Sequence, residues 1–174
     1  MNARQSALIE EYLSLINPSY RPAMRELAEY AVSLGYTPTR CKTQDLTIDF
    51  RNAKQKRTIM KLEQREQSHD GFAYGERDVP GLRLKFYASA EYSEVFQNAV
   101  KRVIENFGGK YTGCYGCGRC TGKKQGYVYA YPDGRKVFRC GGELLSVFDF
   151  LDHVDEAKRL LQRQAEAYAG GEAS

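Results

Sequence analysis

Four of the chain's five cysteines, Cys114, Cys117, Cys120 and Cys140, fall in a segment, residues 108–142, that also holds ten of its sixteen glycines. No other feature restricts the fold as strongly. A stretch so rich in glycine has little apolar surface to bury against the entropy of ordering it, and a cross-link offsets that deficit. The start, Met1-Asn2-Ala3-Arg4-Gln5-Ser6, lacks the apolar stretch of a secretion signal. No apolar run approaches the roughly 18 to 20 residues of a membrane span. A cytoplasmic location with no membrane attachment is therefore expected. In a reducing compartment clustered thiols are read as metal ligands before disulfides, and the odd cysteine count agrees.

Cys114-Tyr115-Gly116-Cys117-Gly118-Arg119-Cys120 contains two overlapping C-x-x-C units, a spacing that points neighbouring thiolates at one ion while intervening amides turn toward the sulfurs. Cys140 supplies the fourth ligand, because a hairpin between Cys120 and Cys140 returns the chain to its starting point. Four cysteines form a closed tetrahedral set, for which structural Zn2+ is the expected ion. C-x-x-C followed by glycine resembles the knuckle of zinc-ribbon proteins; the likeness covers only this module, and ribbons place two ligands in each half where this chain places three and one. An iron–sulfur cluster is the alternative, since ferredoxin runs also begin C-x-x-C-x-x-C. Those runs continue to a nearby cysteine followed by proline, whereas Cys120 is followed by Thr121-Gly122. A closed site leaves no position for a catalytic water.

Around the module, periodicity predicts an α+β fold: an N-terminal helical hairpin, a small antiparallel sheet with packed helices, and the four-cysteine metal-binding knuckle with its β-hairpin. Apolar residues at helical spacing predict helices over 4–16, 20–34 and 91–107, with Ser19 and Ser89 as caps and Gly35 as a C′ residue. Alternation predicts strands over 45–51, 57–62 and 82–87, the last with Leu82, Leu84 and Phe86 toward the core and Arg83, Lys85 and Tyr87 on a basic face. A hairpin follows, with Tyr127, Tyr129 and Tyr131 on one arm, Pro132-Asp133-Gly134 at the turn and Val137 to Arg139 on the other. The organisation expected is a core over 1–107, the metal module over 108–141, a strand and helix over 142–169 that complete the core, and a frayed tail over 170–174.

With 42% hydrophobic residues the chain can build a real core, and its formal charge of +4 is modest. Residues 108–141, however, set seven cations against Asp133 alone. Arg119, Lys123, Lys124, Arg135, Lys136 and Arg139, interleaved with Tyr111, Tyr115, Tyr127, Tyr129 and Tyr131, have the composition of a surface for an anionic ligand or for nucleic acid. The competing reading is that the cations compensate thiolate charge and that the tyrosines pack. The sheet cations Arg51, Lys54, Lys56, Arg57, Lys61, Arg83 and Lys85 form either an anion pocket closed by the polar stretch from Glu63 to Gly81 or a solvated face.

Catalytic candidates are few. His69 and His153 each lie beside acidic residues, in positions suited to capping or exposure. Cys41, between Arg40 and Lys42, is either an activated thiol or a half-buried spectator. No phosphate loop, nucleophile elbow or dinucleotide fingerprint is present. The expectation is a non-enzymatic binding or adaptor domain, monomeric or homodimeric, with structural zinc and a basic face. The alternatives are a nucleic-acid-binding accessory protein and an iron–sulfur or zinc-thiolate redox or alkyl-transfer protein.

Overall fold

Asn2 opens the first helix with a reciprocal cap: its side chain accepts from the Gln5 amide at 2.9 Å, and its own amide donates to Gln5 Oε1 at 2.8 Å. The structure, a computed structural model, describes residues 1–65, 79–106 and 125–170. α1 (Ala3–Leu15) buries Ile9, Tyr12 and Leu13. A 3-10 turn over Pro18–Tyr20 leads into α2 (Arg21–Ser33), which buries Met24, Leu27, Ala28 and Ala31. Here Asn17, not Ser19, caps the turn: Ser19 sits inside it and gives both its amide and its hydroxyl to Asn17 Oδ1. Pro22 then occupies the first turn of α2, where the missing amide costs nothing. Gly35, at φ 85°, ends the helix as expected. The Gly35 amide bonds the Val32 carbonyl and the Tyr36 amide bonds the Ala31 carbonyl, which reverses the chain onto the sheet.

That sheet has five antiparallel strands in the order β1 (Thr37–Arg40), β2 (Thr47–Asn52), β3 (Arg57–Glu63), β4 (Gly81–Leu84) and β7 (Leu145–Val147). β1 was not evident from periodicity: it contains Pro38, which lacks a ladder donor and is tolerated because the strand is at the edge. Register places Ile48, Leu62, Leu82 and Val147 in one row and Phe50, Met60, Leu84 and Leu145 in another, and all eight are buried. β4 ends at Leu84, short of the expected 87, because the chain turns there to place Phe86 in the core.

α3 (Glu94–Asn106) buries Phe96, Ala99, Val100, Val103 and Ile104. It starts after Ser93, whose carbonyl receives the Phe96 and Gln97 amides; Ser89 lies in a preceding turn and is not the cap. β5 (Gly126–Ala130) and β6 (Lys136–Cys140) form a separate hairpin, closed by Tyr131 bonding Arg135 and by Gly134 at φ 86°. α4 (Val154–Gly170) follows a 3-10 turn and buries Ala157, Leu160 and Leu161. Gly170 is its last residue, and 171–174 lie outside the described residues. Phe86 ties the layers together, meeting Tyr92, Phe96 and Tyr127 edge-on at 5.2, 5.6 and 5.3 Å. The fold is thus α+β, with four α-helices and a small antiparallel sheet among the described residues. None of these helices is long and apolar enough to cross a membrane.

Candidate metal centre

Cys140 is the last residue of β6 and pairs across the hairpin with Gly126. One residue on, the Gly141 amide donates to the Gln125 carbonyl at 3.0 Å. Its thiol is half-buried. Cys114, Cys117 and Cys120 lie outside the described residues, and among those described no group of three or more His, Cys, Asp or Glu is placed to hold a metal. The expected knuckle likewise falls outside them.

The chain leaving Cys140 is held by a residue that periodicity misplaces. Lys85, expected on a basic sheet face, is 5% exposed, and its Nζ donates to the Gly141 and Gly142 carbonyls, each at 2.7 Å. It is covered because the segment after Cys140 passes over the end of β4 before the chain pairs as β7. Burial pushes the Lys85 ammonium down to about 8; the charges of Arg57 and Arg83 add to this, while Cys140 and Glu143 act against it. On the other side, a Cβ at Gly141 would overlap Tyr87 Cδ1 and lie 2.6 and 2.9 Å from two further atoms of that ring. A Cβ at Gly142 would lie 3.6 Å from Cys140 Sγ. The two glycines therefore sit between a packed tyrosine, a buried ammonium and a thiol.

Arg139, expected as an anion contact, is 2% exposed and forms an ion pair with Glu143 at 2.9 Å. Register explains this: Arg139 pairs with Tyr127, itself buried, so both side chains face the core side of the hairpin. Arg135 is exposed, pairs with Asp133 at 2.6 Å and lies over the Tyr131 ring. Lys136 is exposed. Arg119, Lys123 and Lys124 lie outside the described residues. The tyrosines pack: Tyr129 and Tyr131 meet at 4.9 Å, and the Tyr131 hydroxyl donates to Glu105 at 3.2 Å. Tyr111 and Tyr115 are outside.

On the sheet face Lys61 and Arg83 have acidic neighbours, where an open row of cations was expected. Asp49, Lys61, Arg83 and Ser146 stand in one row, with Lys61 paired to Asp49 at 3.0 Å. Arg83 lies 3.7 Å from Glu63 and donates to the Leu144 carbonyl, while Arg57 sits over the Tyr168 ring. Exposed cations remain at the β2–β3 turn, where Arg51, Lys54 and Lys56 occur without an acidic neighbour in residues 51–57. The polar stretch from Glu63 to Gly81 is described only at its ends.

Cys41 fits the half-buried spectator better than the activated thiol: burial, and then a hydrogen bond and the charge of Asp49, push it up to about 11, outweighing the opposing charge of Lys61. His153 Nδ1 lies 3.5 Å from Ser93 Oγ and 3.4 Å from Glu156 Oε2. A proton relay would place hydroxyl and carboxylate on opposite ring nitrogens, and here both meet the same one. Glu156 also accepts the Ser93 amide at 2.7 Å, so the cluster joins the starts of α3 and α4. His69 lies outside the described residues.

No protein family, curated protein or solved structure matches this chain in comparison.

Proposed function

We propose that this chain is a small zinc-binding domain of non-enzymatic, adaptor type, in which Cys114, Cys117, Cys120 and Cys140 hold one structural Zn2+. The observation that carries this reading is the hairpin register. Gly126 pairs with Cys140, and Gln125 bonds Gly141. Gln125 follows Cys120 by five residues, a length that spans at most about 18 Å. The fourth thiol is thus tethered within reach of the other three, as a single tetrahedral site requires. The metal offsets the small core of a glycine-rich segment, so its binding contributes folding free energy.

Anaerobically purified protein is expected to be colourless and to carry one zinc per chain. Brown protein containing iron and sulfide would replace zinc with the iron–sulfur alternative, and protein that purifies without metal and gains no stability when zinc is added would remove the site.

The anionic partner is assigned to the β2–β3 turn, where Arg51, Lys54 and Lys56 are exposed. Arg139 and Lys85 are buried, and the tyrosines of the hairpin pack, which weakens a stacking platform for nucleic acid. Retention on an anionic resin is expected to exceed that on a neutral one, to fall as salt rises, and to weaken when Lys54 and Lys56 become glutamate. Equal retention on the two resins would count against this surface.

A further inference from the structure

We propose that the β2–β3 turn docks on the phosphate backbone of a nucleic-acid duplex, which it recognises by charge and without regard to base sequence. The inference rests on the anionic surface assigned above and names its partner.

The first observation is a lysine where the backbone favours glycine. Asn52 and Arg57 pair where β2 ends and β3 begins, and Lys56, in the connection between them, sits at φ 51°. A left-handed residue crowds its own Cβ, whereas glycine takes that conformation without strain. Strain kept at an exposed turn points to function. Here it sets Lys56 beside Arg51 and Lys54, all three exposed and none in an ion pair among the described residues. Arg57 is engaged over the Tyr168 ring and is not counted with them.

The second observation is that the turn is held in place. Asn52 Oδ1 accepts the Lys54 and Gln55 amides, each at 3.1 Å, and Asn52 Nδ2 donates to the Gly35 carbonyl at 3.4 Å. The hydroxyl of Tyr36, a buried residue, donates to Gln55 Oε1 at 3.2 Å. The turn is thus fastened to the end of α2 at two points, which keeps the cost of ordering it on a partner small.

The partner follows from what the turn lacks. Among the described residues the exposed large hydrophobic side chains are Met1, Leu15, Val128 and Leu151, none of them in residues 51–57. A peptide therefore finds no apolar anchor in the turn, and an unstacked base finds no ring to lie on. What remains is charge, and a duplex backbone presents it densely and at regular intervals.

The test uses the full chain with a mixed-sequence DNA duplex, one of its strands unpaired, and polyglutamate, each titrated across a range of salt concentrations. With three phosphate contacts, log K for the duplex is expected to fall against log salt with a slope of about −3. Lys56→Gly is expected to reduce that slope by about 1 and to weaken binding roughly tenfold at about 50 mM salt. Its melting temperature is expected to stay level or rise, because the strain is gone. Asn52→Ala keeps every cation and is expected to weaken binding with the slope unchanged. Wild-type duplex binding by either variant overturns the proposal. So does a lower melting temperature in Lys56→Gly, since the lysine then serves the fold, as a counter-charge to the C-terminus of α2, whose last turn holds no basic residue. Tighter binding to polyglutamate or to the single strand than to the duplex overturns the choice of partner. A chain retained on the anionic resin but without duplex affinity overturns this proposal alone, whereas a chain not retained there overturns the anionic surface and the proposal with it.

Discussion

Gly126→Ala is expected to destabilise the metal-free chain by about 3 kcal/mol or more, at the upper end of what overpacking costs. A Cβ there would overlap the Arg139 carbonyl oxygen and lie 2.7 and 2.8 Å from two carbons of the Phe138 ring. The ring can rotate away, but the carbonyl belongs to the β5–β6 backbone, and moving it separates the strands at the layer that holds Cys140. Gly134 is the internal control. It needs its positive φ of 86° but has nothing within 4 Å of its Cβ position. Gly134→Ala should therefore cost only the roughly 1 to 2 kcal/mol of a left-handed residue. Urea denaturation of the two variants separates the effects, and a Gly126→Ala chain within 0.5 kcal/mol of wild type, a margin of roughly the size of an ordinary surface substitution, would show that the hairpin does not need this close approach.

Cys140→Ser is expected to lower zinc affinity by more than the roughly hundredfold that an outer-sphere partner is worth, because a thiolate ligand is lost outright. The exchange is nearly isosteric, and Cys140 is only half-buried, so packing changes little. Its signature is that stability and metal fall together. A strong chelator should bring the wild type down to the variant's melting temperature and leave the variant unmoved. Full metal content in folded Cys140→Ser would place the fourth ligand elsewhere.

The two apolar rows of the sheet were legible on β2, β3 and β4, because alternation over four or more residues marks the buried face. Leu145 and Val147 complete both rows, yet three residues are too few to display a period, and the strand was expected only somewhere within 142–169. β1 gave no signal at all. Thr37, Thr39 and Arg40 are polar in pattern, and the strand exists because Gly35 reverses the chain and lays it along β2. The caps show the same limit: Ser19 and Ser89 have the right chemistry, but Asn17 and Ser93 stand where the backbone starts its turns.

The hairpin leading to Cys140 was readable from residue order, since turns are local, and so was the spacing of Cys114, Cys117 and Cys120, on which the proposed metal site rests. The seven cations around them were readable only as a composition. Arg139 and Lys85 are charged residues that alternation or proximity assigns to a surface, and both are buried. Their partners are Glu143, four residues along the chain, and Gly141 and Gly142, more than fifty residues away. The sequence by itself therefore determined the α+β class, the apolar stripes of the helices and the position of the hairpin turn. Tertiary structure alone decided which charges are covered. A side chain's periodicity records the face of its own element, whereas its burial depends on a distant segment crossing that face.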